Sequence, residues 1–345
     1  MQQSSEITEV YVQSTDVSII IPSDASPRAC LHVLQAIEKQ KFQAREIVIV
    51  DSSGAADAEW AYVMSELSEA ISGRLKVHRV DSALPGKARN LGIKLATGEW
   101  VGFLDVNTLP EVDWLERSLW NVTALGAMGS WGSTVFKATT DFAALLRDGI
   151  YGADAKRTLP GSVLHRRAVE AVGHFIEWVR AAEDTEWMNR AVTLGIPIAD
   201  GPQASVQYVG MARISPGDAV KKWHRNYLAS HRLQHLHFQK VIAWLMLYAF
   251  FVTAAFNWNA IAAGWQTDSP LYIDHVTKIA SLAPLWIYIG IRGAWLPHLR
   301  GVPWQRLLPL RFLRIASVCL LLDTVKGLVF LFGRRQGSQA YESLA

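Results

Sequence analysis

Short apolar runs alternate with helical patterns over the first part of the chain. Four runs predict strands, at residues 17–21, 46–50, 75–80 and 100–104. Two stretches with apolar side chains at helical spacing lie between them, at residues 29–41 and 87–96. Strands that alternate with helices in this way predict an α/β sheet in which parallel strands are joined by right-handed crossovers.

The pattern becomes less regular after residue 126. Strands rich in Gly, Ser and Thr are predicted at 126–137 and 161–165, and helices at 166–171 and 184–194. We therefore assign residues 1–212 to one α/β domain. At 345 residues the chain is long enough for this domain and a second, smaller part.

Residues 213–240 are strongly basic. They contain six Lys and Arg against the single acid Asp218, together with four His. A solvated basic face has the same composition, but an apolar run follows directly, so we predict an amphipathic helix at a membrane surface. Lys222, Trp223 and Arg225 are the residues that we expect at the headgroups or the acceptor.

Residues 241–335 form a predicted membrane region. Residues 241–263 carry no charge over 23 positions, which is long enough to cross about 30 Å of hydrocarbon. Residues 273–291 form a weaker span of 19 positions. The apolar segment 307–332 is interrupted by four charges, at Arg311, Arg314, Asp323 and Lys326. It either lies in the interface or crosses with Asp323 and Lys326 paired inside a bundle.

The distribution of Lys and Arg orients these spans. Residues 264–275 contain neither, whereas residues 292–314 contain five Arg. The positive-inside rule then places the first domain on the cytoplasmic side and residues 264–275 outside. The polar N-terminus has no signal-peptide pattern, which agrees with this orientation. We predict a multi-pass protein of the cell (inner) membrane with a cytoplasmic first domain.

Charge and cysteine content exclude two classes of protein. A net charge of +3 is too small to indicate a nucleic-acid partner. Cys30 and Cys319 are far apart in unlike contexts, so the chain has neither a disulfide framework nor a zinc motif.

Two acidic residues, Asp51 and Asp105, each follow directly after a predicted strand. In α/β sheets ligands lie beyond the carboxyl ends of the strands. The carboxylate of Asp105 and the amide oxygen of Asn107 can both reach one hard cation, and Mg²⁺ or Mn²⁺ held there would bind a diphosphate. The alternative is a turn, because Asp and Asn favour turns by themselves.

Two other motifs place charges at predicted helix starts. Lys87 and Arg89 follow a Pro-Gly break, where cations and backbone N–H groups attract phosphate. Glu183 and Asp184 begin a later helix. Acids at that position commonly interact with the helix dipole alone. As a functional pair, one of them would be a general base for a hydroxyl, with its pKa raised by burial and by its neighbour.

In this order the motifs resemble the family 2 inverting glycosyltransferases with the GT-A fold, over roughly residues 16–195. The similarity rests on four pieces: the opening strand with Pro22 and Ser23, the strand ending at Asp51, the block from Gly86 to Asn107, and Glu183-Asp184. The resemblance implies a Rossmann-like mixed sheet flanked by helices, followed here by a small α-helical membrane region.

The resemblance also implies roles for individual residues. Asp184, with Glu183 beside it, would be catalytic. The nucleotide-sugar would be bound by Pro22, Ser23, Asp51, Lys87, Arg89, Asn90 and Asp105. Asp105 and Asn107 would hold Mg²⁺ or Mn²⁺. Apart from the resemblance, we expect Trp187, Lys222, Trp223 and Arg225 at the acceptor or the membrane surface. The two tryptophans either stack on sugar or are ordinary core or interface aromatics.

The sequence departs from the family pattern in three places. Family members usually carry Asp where Asn107 stands, and an amide ligand without charge lowers the expected metal affinity. Ser52 replaces a frequent second Asp after Asp51, so the residues here do not select the nucleotide base. UDP-sugar is the default donor because UDP is the commonest donor nucleotide in such enzymes. The Gln-x-x-Arg-Trp motif of processive synthases is absent, which favours transfer of a single sugar.

We therefore expect an enzyme that moves one sugar from a nucleotide-sugar to a hydroxyl of a membrane-borne, lipid-linked acceptor with inversion. One alternative is a polyprenyl-phosphate glycosyltransferase, whose phosphate acceptor needs no strong base. Another is a catalytically inactive nucleotide-sugar-binding or scaffold protein, for which Asn107 is the hint.

Overall fold

The structure is a computed structural model and describes residues 16–233, 257–264, 266–274 and 285–332, with the single residues 248, 252, 254 and 283. Its contacts divide the chain into two compact units. Of the described residues, the first unit comprises 16–140 and 155–214, and the second comprises 141–154 and those from 215 onward. Residues 141–154, which the sequence pattern placed in the first domain, thus belong to the second unit.

One mixed sheet forms the centre of the first unit. Its described strands are β1 (Val17–Ser23), β2 (Glu46–Asp51), β3 (Leu75–Arg79), β4 (Trp100–Phe103), β5 (Thr108–Pro110), β6 (Gly129–Phe136), β7 (Lys156–His165), β8 (Ile198–Ala199) and β9 (Val206–Tyr208). The strand order is β3-β2-β1-β4-β7-β6-β9-β5, and β8 pairs with β6. The first four strands in this order are parallel, and β7 is antiparallel to β4. The predicted α/β class with a mixed sheet is confirmed.

Helices cover the sheet on both faces. In the first unit they are α1 (Leu31–Glu38), α2 (Asp57–Ser65), α3 (Glu69–Ser72), α4 (Pro85–Leu95), α5 (Trp114–Leu125), α7 (Arg166–Val172) and α8 (Glu183–Thr193). Successive residues of a strand point to opposite faces. Ile19 of β1 therefore packs in one apolar cluster with Leu34 and Trp114, and Ile20 packs in another with Phe103.

Strand register brings three strand ends to the same edge of the sheet. Ser23 lies opposite Asp51 in the β1–β2 pair, and Ile20 lies opposite Phe103 in the β1–β4 pair. The residues that follow β1, β2 and β4 therefore emerge side by side. This carboxyl edge is where α/β sheets bind ligands.

Strands β6 and β7 are irregular, and their bounds differ from the predicted ones for this reason. Strand β7 begins at Lys156, before the predicted start at residue 161. The β6–β7 register shifts between Ser130 and Gly132, and Gly161 has a φ of 89°. A Cβ at Gly132 would lie 2.0 Å from the carbonyl oxygen of Pro160, so a side chain is excluded at this bulge.

The second unit is helical in its described residues. Its helices are α6 (Asp141–Ile150), α9 (Pro216–Arg232), α10 (Trp258–Ala263), a π-helix (Gly290–Trp295), α11 (Leu296–Leu299), α12 (Trp304–Leu307) and α13 (Arg311–Phe332). The long helix α13 packs against α6, α9 and the π-helix. The predicted basic helix of residues 213–240 corresponds to α9 as far as residue 233; the rest of it lies outside the described residues.

The charges near the end of α13 are paired in a way that differs from the predicted one. The carboxylate of Asp323 accepts hydrogen bonds from Nε and Nη2 of Arg292, at 2.8 and 3.0 Å, and from the hydroxyl of Tyr288 at 2.8 Å. Lys326 instead lies 5.8 Å from the ring centroid of Tyr227. Asp323 therefore pairs with Arg292, since the π-helix supplies a guanidinium that can bind both carboxylate oxygens.

Helix α13 has 22 residues, and its most apolar stretch of 18 residues has a mean hydropathy of 2.0, so it is long and apolar enough to cross a membrane. Within the part of the chain that the structure describes, it is the one helix that meets this description. The predicted spans 241–263 and 273–291 are described only in part, because residues 241–247, 255–256 and 275–282 lie outside the described residues. The number of crossings therefore stays a prediction.

Candidate active site

Asp105 lies at the carboxyl edge of the sheet in a tight turn. Thr108 closes this turn, because its backbone N–H and its hydroxyl both donate to the carbonyl oxygen of Asp105, at 2.9 and 2.6 Å. The backbone N–H of Asp105 donates in return to the Thr108 hydroxyl oxygen at 2.9 Å. The turn holds the backbone of Asp105 while its carboxylate, about one-third exposed, projects from the edge.

Arg89 of α4 joins Asp105 to the second acidic motif. Its side chain is almost fully buried, and Nη2 donates to Oδ1 of Asp105 at 2.9 Å. Nη1 donates to Oε1 of Glu183. Burial by itself lowers the pKa of a guanidinium, but Asp105, Glu183 and the nearby Asp184 raise the pKa of Arg89 above its usual value. Arg89 is therefore a fixed cation between two carboxylates.

Glu183 and Asp184 begin helix α8 but differ in environment. Glu183 is 4% exposed, and its Oε2 has no hydrogen-bond partner among the described residues. Burial raises the pKa of Glu183, and the charge of Asp184 adds to this, while Arg89 opposes it. The preceding residue, Ala182, has a φ of 70°, which is unfavourable for a residue with a Cβ. A strained backbone thus presents the pair at the helix start.

Asp184 is half-buried and uses one of its carboxylate oxygens in local hydrogen bonds. Its Oδ1 accepts from the backbone N–H of Thr185 at 2.7 Å and from the Thr185 hydroxyl at 3.3 Å. No other hydrogen bond to this carboxylate occurs within residues 16–233. Of the two adjacent acids, Glu183 is therefore bound to Arg89, and the role of Asp184 as a base stays a prediction.

Asn90 makes contacts that the sequence did not predict. Its Oδ1 accepts from the backbone N–H of Phe175 at 2.8 Å, and its Nδ2 donates to the Phe175 carbonyl at 2.9 Å. Nδ2 also donates to Oε1 of Glu177 at 2.8 Å. The amide predicted to bind the nucleotide-sugar is thus engaged with the segment that leads to Glu183.

Asp51 is also held by its own domain. It is 1% exposed, and Oδ2 accepts from the indole N–H of Trp60 at 2.7 Å. Oδ1 accepts from the backbone N–H of Ser53 at 2.9 Å. Asp51 lies at the predicted edge, but each of its carboxylate oxygens already accepts one hydrogen bond from the protein, and its contact with a nucleotide stays a prediction. Trp60 had no signal in the sequence, because it lies on a helix without a strong apolar face.

The other predicted donor-binding residues lie near this edge. Ser23 ends β1, and its carbonyl oxygen accepts from the backbone N–H of Ser52 at 2.8 Å, which ties the ends of β1 and β2 together. Pro22 is the preceding, half-buried residue. Lys87 lies on the first turn of α4 with its side chain exposed.

The predicted metal ligands offer one carboxylate and one amide oxygen. Asn107 is exposed, and its backbone carbonyl accepts from the N–H of Val209 at 2.9 Å. Within the described residues, no group of three or more His, Cys, Asp and Glu could hold a metal ion. Oxygen donors suit Mg²⁺ or Mn²⁺, and such ions are commonly bound through one or two carboxylates plus substrate phosphates. Asp105 and Asn107 therefore fit a cation whose remaining ligands come from a diphosphate.

Two tryptophans predicted to face the acceptor are buried. Trp187 is 0% exposed, stacks on Phe175 at 4.9 Å between ring centroids, and donates to the carbonyl of Gly173 at 2.8 Å. It lies four residues after Glu183, on the same inward face of α8. Trp223 is 4% exposed and lies 6.5 Å from the Tyr151 ring. These positions correct the prediction of surface roles for both residues.

The two charged residues of the same prediction lie on α9. Arg225 is exposed, and Lys222 is half-buried with its ammonium 5.9 Å from the centroid of the neighbouring Trp223 ring. Both residues thus keep the surface position that the sequence predicts, and their contact with a membrane stays a prediction.

Comparisons with known proteins bear on the fold and the motifs. Residues 18–168 match the family described as "Glycosyl transferase family 2". "Amylovoran biosynthesis glycosyltransferase AmsB" from Erwinia amylovora is 34% identical over 115 residues, which is 32% of this chain and 37% of that protein. The chain is thus aligned to little more than a third of that relative.

Solved structures resemble the chain over most of its length. The mannosyltransferase PcManGT from Pyrobaculum calidifontis, in complex with GDP-Man and Mn²⁺, has a TM-score of 0.53 at 16% identity and covers 97% of this chain and 95% of its own. S. aureus TarS 1–349, in complex with UDP-GlcNAc, has a TM-score of 0.43 at 16% identity and covers 93% of both chains. The family match spans β1 to β7 and includes Asp51, Arg89 and Asp105. Residues 18–168 therefore match a glycosyl transferase family 2 domain, and the mixed α/β sheet with its flanking helices is a GT-A-like fold.

Proposed function

We propose that this protein transfers one sugar from a nucleotide-sugar to the hydroxyl of a membrane-borne, lipid-linked acceptor, with inversion at the anomeric carbon. The single observation that carries the proposal is the position of Arg89. This buried cation touches both Asp105, at the strand edge, and Glu183, next to Asp184. Motifs that lie 78 or more residues apart in the sequence thus meet around one guanidinium.

The donor side of the site is cationic. Arg89 and Lys87 lie on the first two turns of α4, whose free backbone N–H groups favour anions. We assign the diphosphate of the donor to this helix start, with Asp51, Pro22 and Ser23 near the nucleoside. Asp105 and Asn107 would hold Mg²⁺ or Mn²⁺, which neutralises charge on the departing diphosphate when it is bound.

Asp184 is the proposed general base. Its carboxylate would take the proton of the acceptor hydroxyl as the oxygen of that hydroxyl bonds to the anomeric carbon. The bond from the anomeric carbon to the diphosphate oxygen breaks on the opposite face, and the nucleoside diphosphate leaves. Attack opposite the leaving group inverts the anomeric configuration. Glu183, which is buried against Arg89, is not a second base in this scheme.

The second unit supports an acceptor at the membrane. Helix α13 is apolar and long enough to cross a bilayer, and α9 carries the exposed Lys221 and Arg225. Basic residues next to an apolar segment attract the anionic surface of a membrane. We assign the protein to the cell (inner) membrane with the glycosyltransferase unit in the cytoplasm.

The test is release of nucleoside diphosphate by the purified full chain, with Mn²⁺ or Mg²⁺, across UDP-, GDP- and dTDP-sugars. We expect slow release from one donor, and we expect Asp184→Asn to lower it by about a hundredfold or more because a positioned base contributes 10²–10⁴-fold. Asp268→Asn, an exposed aspartate of the second unit, is the matched control.

Two outcomes would contradict the proposal. Unchanged transfer by Asp184→Asn would favour a phosphate acceptor, which needs no strong base. Nucleotide binding without release from any donor, in the presence of a membrane lipid extract, would favour an inactive binding protein.

A further inference from the structure

The segment that leads to Asp184 has no regular structure of its own. Residues 173–182 connect α7 to α8 without helix or strand. Backbone polar groups in such a segment must find partners elsewhere. Its first part contacts Asn90 of α4, and Glu183, which follows its last residue, contacts Arg89. Both ends of the connection are therefore attached to the same helix.

Asn90 binds both backbone polar groups of one residue at the start of this segment, as a neighbouring β-strand would. Its side-chain amide both accepts from the N–H of Phe175 and donates to the carbonyl of Phe175, at 2.8 and 2.9 Å. The same amide donates to Glu177 at 2.8 Å. The Asn90 side chain is buried, so these bonds are sheltered from water. An amide with three such bonds has little left to offer a ligand.

A third residue of α4 shapes the same contact. A Cβ at Gly86 would lie 1.9 Å from the carbonyl oxygen of Ile176, so the segment approaches α4 as closely as glycine allows. Gly86, Arg89 and Asn90 are spaced i, i+3 and i+4, which puts them on one face of the helix. We call these three residues the α4 clamp.

We infer that the α4 clamp sets the position of Asp184, and that Asn90 is a positioning residue and not a ligand of the nucleotide-sugar. This inference rests on the proposed function for the part that concerns turnover. A base must lie within hydrogen-bond reach of the proton that it removes, and a displacement of about 1 Å can cost a hundredfold in rate. Release of Phe175 from Asn90 frees the segment that leads to Asp184 and therefore lowers turnover.

The test is a double-mutant cycle on Asn90 and Glu177. Asn90→Asp keeps the shape but removes both N–H donors and places a carboxylate against Glu177 and the Phe175 carbonyl. We expect kcat to fall about tenfold to a hundredfold. The dissociation constant of UDP or GDP, whichever the wild type binds with Mn²⁺, should change by less than about threefold, because the amide of Asn90 is bound to Phe175 and Glu177 and is not available to the nucleotide.

The cycle is completed by Glu177→Gln in both backgrounds. In the Asn90→Asp background, the amide introduced at position 177 can donate to the carboxylate introduced at position 90. We expect this second change to recover about tenfold or less of the lost kcat, since the Phe175 carbonyl remains without a donor. Glu170→Gln makes the same change at an exposed residue of α7, and this control variant should keep the wild-type kcat.

A readout without catalysis separates this inference from the proposed function. Hydrogen exchange of peptides covering residues 174–184 should be faster in Asn90→Asp and slower again in the double variant. In the wild type, the Phe175 amide should exchange more slowly than that of its neighbour His174, even though both lie in an irregular segment. This last measurement needs no variant to fold.

The inference would be overturned by two results. One is unchanged exchange of residues 174–184 in Asn90→Asp, whatever the activity. The other is a loss of UDP or GDP affinity that equals the loss of turnover, which would make Asn90 a ligand. Absence of turnover in the wild type would defeat the proposed function, yet the exchange data would still decide whether the clamp holds the segment.

Discussion

Arg89 is the residue whose surroundings decide how the candidate site is built. Its guanidinium has donors spread over a rigid plane, so it can bind Asp105 with one nitrogen and Glu183 with another. A lysine would offer one point charge on a flexible chain. Glu183 is buried, and one of its carboxylate oxygens has no hydrogen-bond partner among the described residues. Its carboxylate can therefore stay charged only because Arg89 is its counterion.

Removing this guanidinium should destabilise the protein strongly. Arg89→Ala leaves Glu183 as a buried charge without a counterion, and breaking a buried pair in this way costs about 3–5 kcal/mol. The double variant Arg89→Met/Glu183→Leu should lose much less, because neither charge remains. Urea unfolding of the three proteins measures this difference. Equal losses in the single and double variants would show that the pair is not what holds this region.

Arg89→Lys separates the fold from the chemistry at the same position. We expect it to fold, since a cation remains beside Glu183, but to lose most of its turnover because an ammonium cannot bridge both carboxylates. Thermal unfolding and nucleoside diphosphate release are the two measurements. Wild-type turnover in Arg89→Lys would mean that the bridge to Asp105 is not required.

For single residues, the sequence predicts the position at the edge of the sheet better than it predicts the hydrogen-bond partners. Asp105 and Arg89 could be placed at one edge because strand ends and helix starts of α/β sheets converge there. The contacts of Asn90 and Asp51 could not be predicted. Their partners are Phe175, which is 85 residues away, and the indole of Trp60, and no local pattern records a side-chain hydrogen bond.

At the scale of elements, the opening strands are joined by one buried carboxylate. Glu46 of β2 accepts from the hydroxyl of Ser18 on β1 at 2.6 Å, from Lys76 on β3 at 2.5 Å, and from the backbone N–H of Thr97 at 2.6 Å. Burial by itself raises the pKa of this carboxyl, but these donors outweigh it and lower the pKa of Glu46 to about 2.

This depressed pKa predicts how stability depends on pH. An ordinary Glu has a pKa of about 4.3. The stabilisation from Glu46, about 2 to 3 kcal/mol, is therefore complete above that pH and is lost as the pH falls from about 4.3 to about 2. Unfolding free energies of wild type and Glu46→Gln, measured between pH 2 and 7, should converge at the acid end. A constant difference across this range would show that Glu46 is not ionised in the folded state.

Elements with long apolar patterns were predicted, and elements held by distant partners were not. The strands β1, β2 and β4 are buried runs, so their positions followed from the sequence. The three-residue strands β5 and β9 pair only with strands far away in the chain, and their sequences carry no periodicity. The bulge in β6–β7 interrupts the alternation on which a strand prediction depends.

At the scale of the whole molecule, the second unit combines apolar surface with paired charges. Only 28% of the most apolar 18-residue stretch of α13 is buried. Several large apolar side chains of this helix are exposed, namely Leu320, Leu321, Leu328, Leu331 and Phe332. Two of its charges are paired with acids of α6, Arg311 with Asp148 and Arg314 with Asp141. Residues 141–154 belong to this unit, and these pairs are among the contacts between α6 and α13. No pattern in the sequence reveals them, because the partners are more than 150 residues apart.

The exposed face of α13 predicts how the full chain behaves in a membrane. Wild-type protein should stay with membranes after alkaline carbonate extraction, since the face would contact lipid. Leu321→Arg, near the helix centre, should weaken this association, because an arginine at the centre of a spanning helix costs about 2.5–3.5 kcal/mol. Leu125→Arg makes the same change on an exposed leucine of the first unit and should have no effect. Complete release of the wild-type chain, together with a larger assembly in solution that Leu321→Arg dissociates, would show instead that a second copy covers this face.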